Sequence, residues 1–107
     1  MPMQKDRLNK FRAKIFYAFS DPIRLDIIEF LKDGEKCVCE IIPCLRMPQP
    51  IVSRHLKILK DCGLVKDRKD GTRRFYSITD GKVSDIIDTV SSEVVENLSQ
   101  HAIEQII

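Results

Sequence analysis

The sequence contains no hydrophobic run that approaches the roughly 18 residues needed to span a lipid bilayer. The N-terminus, residues 1–5, also lacks the apolar stretch that characterises a signal peptide. We therefore predict a cytoplasmic protein with no membrane partner.

Internal repeats, low-complexity tracts and interdomain linkers are also absent from the 107 residues. A chain of this length suits one domain, and a hydrophobic content of 43% is sufficient for a single core. We therefore predict one domain over residues 1–107. Folded monomers of this size leave much surface exposed, which is compatible with an obligate dimer.

Histidine is scarce, since the chain has only His55 and His101. An oxidoreductase that used the paired cysteines Cys37 and Cys39 would therefore lack an acid-base histidine beside its thiols. It would also need an active-site cleft and a reductase partner. The prediction is that the protein is not an enzyme.

Cysteine is the most informative residue that is present. The chain has no signal peptide and a helix-rich pattern, so it belongs in a reducing compartment, where clustered thiols more often bind metal or sense redox state. Cys37 and Cys39 are separated by one residue, and Cys44 follows five residues later. These three are the candidate metal ligands, whereas Cys62, at the end of a predicted helix, is assigned to packing.

The net charge is only +2, but its distribution is uneven. Residues 46–79 contain 9 Lys or Arg against 3 Asp or Glu, whereas residues 80–107 contain 1 against 6. A basic middle and an acidic tail favour one DNA-facing surface on an otherwise balanced protein.

Helical periodicity predicts a first helix over about residues 5–19 and a second that starts at Pro22 after the capping residues Ser20 and Asp21. A short third helix follows, with Val38, Ile41, Ile42 and Leu45 as its apolar stripe. The fourth starts at Gln49, buries one apolar face and ends near Cys62, and a last helix covers about residues 82–106.

Two strands are predicted between the fourth and last helices, over residues 64–68 and 74–78. They are joined through residues 69–72, which contain an Asp-Gly pair typical of a hairpin turn. The predicted fold class is therefore mainly α (α+β). It is a winged helix-turn-helix with helices 1–5 and a two-stranded β-hairpin wing between helices 4 and 5.

The fourth helix has the character of a DNA-recognition helix. Arginine pairs with guanine and glutamine with adenine in the major groove, and such helices present their N-terminal residues to the bases. We predict base or near-base contacts for Gln49, Ser53 and Arg54 and a phosphate contact for Lys57. His55 lies on the flank nearer the core, as a further contact or a packing residue.

The wing is basic around its turn, which suits phosphates or a minor groove. The predicted DNA contacts there are Arg68, Lys69, Arg73 and Arg74. This polar, basic surface disfavours a purely structural interaction module.

Several motifs in this order resemble the ArsR/SmtB family of metal-sensing repressors. They are Asp21-Pro22-Ile23-Arg24-Leu25, Cys37-Val38-Cys39-Glu40-Ile41, Gln49 through Leu56, Cys62-Gly63-Leu64-Val65 and the Asp70-Gly71 turn. The resemblance covers about residues 10–80. It implies a homodimer built from the first and last helices, about residues 5–19 and 82–106, that binds an inverted-repeat double-stranded DNA operator and leaves it when an ion binds.

Thiolates select soft or borderline ions, here As(III), Sb(III), Cd(II), Pb(II), Zn(II) or Cu(I), as regulatory ligands rather than permanent cofactors. Residues two apart in a helix lie about 200° around the axis, so Cys37 and Cys39 must be partly extended to share an ion. Pro43 supports this arrangement if the third helix begins near Cys39, because proline is acceptable in a first turn.

Arsenic-sensing members of the family usually carry a third cysteine three residues after the second, where this chain has Ile42. Cys44 would lie roughly 7.5 Å along the helix from Cys39, so a ligand from the other subunit or an oxygen donor remains open. Zinc-sensing members use a site on the last helix, which is absent here because Val90 replaces its first histidine.

The predicted function is a homodimeric repressor that is released from DNA when a soft ion binds the cysteine thiolates. We hypothesise that the ion reshapes the start of the third helix and so moves the recognition helix. The alternative is a thiol redox regulator of the same fold, in which oxidation of the cysteines to a disulfide is the switch.

Overall fold

The computed structural model describes residues 3–106 and confirms the predicted winged helix-turn-helix. Its helices are α1 (Lys5–Ala18), α2 (Pro22–Leu31), α3 (Val38–Leu45), α4 (Gln49–Asp61), α5 (Lys82–Thr89) and α6 (Ser92–Ile106). Its strands are β1 (Lys36–Cys37), β2 (Val65–Asp70) and β3 (Arg73–Ile78). The pair α3–α4 is the helix-turn-helix, and β2–β3 is the wing.

The start of α2 follows the capping rule that its sequence predicts. The Asp21 carboxylate accepts hydrogen bonds from the backbone N–H groups of Ile23 at 2.8 Å and Arg24 at 3.4 Å, and Pro22 occupies the first helical position. Proline loses nothing there because the first amides of a helix have no carbonyl partner within the helix.

The sheet has a third strand that the sequence pattern did not predict. β1 pairs antiparallel with β3, with Lys36 opposite Tyr76 and Cys37 opposite Phe75, so the strand order is β1-β3-β2. A strand of two residues is too short to show an alternating pattern. Because β1 pairs with β3, the backbone of Cys37 is joined to the wing.

The wing is longer than predicted and its turn is tighter. Asp70 pairs with Arg73, which leaves only Gly71 and Thr72 between the strands, and Gly71 has a φ of +62°. Two-residue hairpin turns require such positive φ values, which glycine adopts without steric cost. Lys69 and Asp70, predicted to lie in the turn, therefore belong to β2.

One hydrophobic core joins α1, α2, α3, α4 and α5 to the sheet. The recognition helix contributes Val52, Leu56 and Leu59, as predicted, each at most 1% exposed. The cluster comprises Ala18, Ile27, Ile28, Leu31, Ile41, Val52, Leu56, Leu59, Leu64, Val65, Tyr76 and Val83. The core thus holds α4 by one face and leaves the opposite face to solvent.

The predicted single last helix is divided into α5 and α6. Val90 leaves the helical region at the end of α5, with φ −85° and ψ 70°. Ser91 then caps α6, since its hydroxyl accepts a hydrogen bond from the Val94 N–H at 3.3 Å and its carbonyl accepts one from the Val95 N–H at 2.9 Å. A β-branched residue followed by serines favours this break, because serine competes for the backbone as a cap.

A band of exposed apolar side chains follows the terminal helices. Phe16 on α1 is 63% exposed and Leu98 on α6 is 64% exposed. All residues from 92 to 105 are exposed, so α6 packs no face against the core of its own protomer. Within residues 3–106, no helix combines the length and apolar character that a membrane crossing requires.

Candidate nucleic-acid interface and thiol pair

The exposed face of α4 carries the residues that were predicted to meet DNA. Gln49, Ser53, Arg54 and Lys57 are all exposed and lie opposite the buried face of the helix. Lys57 pairs with Asp61, one turn later, at 2.9 Å. Within residues 3–106 Arg54 makes no ion pair, so its guanidinium is available to a base or phosphate.

Arg68 is held by the segment that precedes β1. Its guanidinium donates to both carboxylate oxygens of Glu35, at 2.9 Å and 2.6 Å, and lies 4.5 Å from the centre of the Phe75 ring. The hydrogen bond from Arg68 holds the pKa of Glu35 below its ordinary value. Arg68 therefore links the wing to the segment before α3. Its positive charge is balanced by Glu35 in the absence of DNA.

Asp67 organises a second cluster of charges beside the wing. Its carboxylate, only 10% exposed, accepts hydrogen bonds from Lys60 on α4 and from Arg74 on β3. The hydrogen bond from Lys60, followed by that from Arg74, holds the pKa of Asp67 below its ordinary value against the opposing effect of burial. Within the described part of the chain, Lys69 and Arg73 have no such carboxylate partner.

His55 faces a buried arginine rather than open solvent. Arg24, 5% exposed, places one guanidinium nitrogen 3.1 Å from His55 Nδ1. Its other nitrogens donate to the carbonyl of Ala18 at 2.8 Å and of Tyr17 at 3.1 Å. Since the guanidinium can only donate, Nδ1 must be the unprotonated nitrogen in this contact. Arg24 thus joins the end of α1 to the recognition helix.

Cys37 and Cys39 meet at the start of α3. Cys37 is extended and caps the helix, where its sulfur accepts the Cys39 N–H at 3.2 Å, while Glu40 accepts the Cys37 N–H at 3.1 Å. The two sulfurs are paired as a disulfide, with Cα atoms 5.1 Å apart. Cys37 is 3% exposed and Cys39 is exposed. The pair is partly extended, as the spacing predicts.

Pro43 lies deeper in α3 than predicted. The helix begins at Val38 rather than at Cys39, the start that would place Pro43 close to the first turn, so Pro43 is its sixth residue. Proline has no amide hydrogen and cannot donate to the carbonyl four residues back, which belongs to Cys39. The start of α3 is therefore anchored by one backbone hydrogen bond fewer than an ordinary helix of this length.

Cys44 does not join the pair. It is exposed and opens into a different groove, which is lined by Asp26, Glu29 and Asp33. Cys62 is half-buried against the core, in agreement with its predicted packing role. Among residues 3–106, no group of three or more His, Cys, Asp or Glu side chains is arranged to hold a metal ion.

The thiol pair shares one groove of about 560 Å³ with four of the predicted DNA contacts, Gln49, Ser53, Arg73 and Arg74. We call it the wing groove. Its exposed lining residues come from the start of α3, the N-terminal half of α4 and the wing turn, and are Cys39, Gln49, Ser53, Thr72, Arg73 and Arg74. The sequence did not predict that these groups share one groove, because β1 was not predicted.

The fold and this interface define the class of protein as a winged helix-turn-helix DNA-binding domain. A family model described as "Bacterial regulatory protein, arsR family" matches residues 21–67. An uncharacterized HTH-type transcriptional regulator from Methanocaldococcus jannaschii is 53% identical over 79 residues, which are 73% of this chain and 89% of that protein. The chain therefore belongs to the arsR family of regulatory proteins.

Two further similarities bear on assembly and ligand. An arsenical resistance operon repressor from Staphylococcus aureus is 36% identical over 74% of this chain and 76% of its own length. The homodimeric winged helix-turn-helix domain of a possible ArsR-family regulator from Mycobacterium bovis superposes with a TM-score of 0.76, at 33% identity, over 94% of this chain and 96% of that domain. Some matched repressors are longer, and the chain spans 60% or 56% of their length.

Proposed function

We propose that the protein is a homodimeric repressor that binds an inverted-repeat operator and is released when a soft metal or metalloid ion binds Cys37 and Cys39. The observation that carries the proposal is the wing groove, where the thiol pair adjoins the recognition helix and the wing. β1 supplies the mechanical link, because Cys37 is paired with Phe75 of the wing strand. Membership of the arsR family supports the same conclusion.

The proposed DNA contacts divide into base-reading and backbone groups. Gln49, Ser53 and Arg54 are assigned to base edges because they occupy the exposed N-terminal half of α4. The groups assigned to the DNA backbone are Lys57, Lys69, Arg73 and Arg74. Arg68 and His55 act mainly by holding neighbouring elements in position. Lys57, Arg68 and Arg74 already have carboxylate partners, so their net contribution to phosphate binding is reduced.

Arg54→Ala and Arg73→Ala are expected to weaken DNA binding in different ways. Loss of Arg54 should cost about 1–3 kcal/mol on the operator and little on scrambled DNA, because a base contact discriminates sequence. Loss of Arg73 should weaken both duplexes alike and lower the salt slope by about 1, because it removes a phosphate contact.

Anisotropy titrations on both duplexes at several salt concentrations measure these effects. Lys66→Ala provides a matched control, since Lys66 is an exposed cation on the same wing outside the wing groove. An equal loss of specificity in Arg54→Ala and Arg73→Ala would contradict the assignments.

We propose that the dimer forms through the apolar band of the terminal helices, within a single domain over residues 1–107. Isolated exposed apolar residues are ordinary, but here they recur along one stripe of α6, at Val94, Val95 and Leu98, and continue onto α1 and α5. A cavity of about 320 Å³ between Phe16, Ile86 and Val95 extends the band. The homodimeric Mycobacterium bovis domain supports this arrangement.

Leu98→Glu is expected to convert the dimer into monomers and to abolish tight operator binding. A buried unpaired carboxylate would be introduced twice across a two-fold interface, for a loss of association free energy of at least about 4 kcal/mol. Sedimentation equilibrium measures the change. Gln100→Glu, which adds the same charge on the opposite side of α6, should remain a dimer. A dimeric Leu98→Glu protein would exclude this interface.

The thiol pair supplies two soft donors to an ion but no complete three-thiolate set. Cys37 and Cys39 lie side by side, whereas Cys44 opens into another groove. One protomer therefore offers two thiolates, which suits soft ions that tolerate low coordination or that take a further ligand from outside the protomer. An ion between the two sulfurs would pull on β1 and on the start of α3.

Oxidation is the second candidate signal, and one observation favours it. The sulfurs of Cys37 and Cys39 are paired as a disulfide at the start of α3, so the fold accommodates the oxidised pair. Cys37 is buried and Cys39 is exposed, so an oxidant reaches the Cys39 thiol first. The Cys37 thiol then reacts with the oxidised Cys39 to form the disulfide.

One titration separates the two signals. Reduced protein is bound to labelled operator, and As(III), Cd(II), Pb(II) or Zn(II) is added under reducing conditions, followed in a separate series by diamide. Release by one ion in the presence of reductant supports ion sensing, and release by diamide alone supports the thiol switch. Retention of the operator in every series would contradict both.

A further inference from the structure

We infer that Cys39 lies inside the DNA footprint, so that any group bound to its sulfur competes directly with the DNA backbone for the wing groove. This inference rests on the proposed DNA-binding function. It adds a site that base-reading and phosphate-binding assignments did not include. It also differs from release by movement of the recognition helix, because it requires no change of conformation.

The composition of the wing groove supports a DNA sugar-phosphate backbone as its occupant. The exposed rim carries Arg73, Arg74 and the hydroxyls of Ser53 and Thr72, and phosphate oxygens can accept hydrogen bonds from all of them. Arg74 is already paired with Asp67, so Arg73 supplies most of the positive charge. The rim contains no carboxylate, whereas the groove beside Cys44 contains three carboxylates and one lysine, Lys36. Charge complementarity therefore directs a phosphate chain to the face that holds Cys39.

The position of Cys39 within the helix-turn-helix also indicates that it lies beside the DNA backbone. In this motif the first helix crosses the DNA backbone while the second enters the major groove. Here α3 is the first helix, and Cys39 is its second residue, at the end nearest the wing turn. Cys39 is exposed while Cys37 is buried beneath it, so the DNA backbone would cover the sulfur of Cys39.

DNA should therefore protect Cys39 from alkylation. In reduced wild-type protein, N-ethylmaleimide labelling of each cysteine is followed by mass spectrometry with and without operator. With DNA at about 100 times its Kd, about 1% of the protein is free, so a fully covered Cys39 should react about 100-fold more slowly. Cys44 is the internal control, and its rate should change by less than about twofold because it lies outside the footprint.

Charge on the sulfur should then matter as much as size. A protein with Cys39 as its only thiol (Cys37→Ser, Cys44→Ser, Cys62→Ala) is alkylated with iodoacetamide or iodoacetate, which give adducts of nearly equal volume. A negative charge about 5 Å from a phosphate in water should weaken binding about fourfold more than the neutral adduct. The difference should vanish in about 1 M salt, where the Debye length is about 3 Å.

The matched control carries the same two adducts on Cys44 (Cys37→Ser, Cys39→Ser, Cys62→Ala) and should bind DNA equally well with either. Unchanged labelling of Cys39 in a verified protein–DNA complex would overturn the inference and leave the proposed function standing. Unchanged DNA binding by both Cys39 adducts would also overturn it, because a group on that sulfur would then not compete with DNA. Absence of DNA binding by unmodified wild-type protein would instead refute the proposed function.

Discussion

Arg24→Ala is expected to lower the free energy of unfolding by about 3 kcal/mol, because it breaks a buried, charged hydrogen-bond network. The guanidinium bonds to the carbonyls of Tyr17 and Ala18 and to His55, and α1 has no basic residue of its own in its last turn. Alanine would remove the donor to the Ala18 carbonyl and the positive charge at the negative end of the α1 dipole, whereas the Tyr17 carbonyl would keep the Ser20 N–H at 3.0 Å.

Urea unfolding followed by circular dichroism, at a fixed protein concentration, measures this loss. Arg12→Ala is the control, because Arg12 lies on the exposed side of α1 and, within residues 3–106, its side chain bonds only to Asn9, at 3.1 Å. It should change stability by less than about 0.5 kcal/mol. Arg24→Lys keeps the charge but loses the planar fork, so it should fall between the two. Equal stability of Arg24→Ala and Arg12→Ala would show that the buried contacts contribute nothing.

Replacing Cys37 and Cys39 together by serine is expected to leave operator binding intact and to abolish release. Serine is a good helix cap, so Cys37→Ser preserves the start of α3, but a hydroxyl neither binds soft ions strongly nor forms a disulfide. Allosteric couplings typically change affinity by about 5- to 150-fold, and in this variant the ratio of affinities with and without the signal should fall to about 1.

Anisotropy titrations of the variant with the ion or oxidant that releases the wild-type protein measure this ratio. Cys44→Ser is the comparison that decides the third ligand. If it responds as the wild type does, the pair acts without Cys44, in agreement with the separate groove that Cys44 occupies. Release of the double variant at the wild-type signal concentration would remove the thiol pair from the mechanism.

The helix-turn-helix and the wing were predictable because their signals are local. The buried stripe of Val52, Leu56 and Leu59 orients α4 without reference to any other element, and an Asp-Gly pair locates the hairpin turn. The division of the last helix was not predicted, since the stripe of apolar residues continues through Val90. The cap at Ser91 outweighed that periodicity.

The role of Arg24 had a signal that periodicity alone did not interpret. Positions 24, 27, 28 and 31 form one helical stripe, and three of them are core residues. A charged residue on such a stripe predicts a buried group with fixed partners. The partners themselves, at the end of α1 and on α4, depend on how three helices pack.

The amino-acid sequence by itself determined the fold class, the exposed face of the recognition helix and the partly extended Cys-X-Cys pair, because each depends on spacings of a few residues. Only the tertiary structure decided which charges are already balanced, through Glu35 with Arg68 and Asp67 with Lys60 and Arg74. It also decided that Cys39 faces the wing groove and Cys44 does not. The physical reason is that β1 pairs with β3 across some forty residues of chain, a long-range contact that no local pattern encodes.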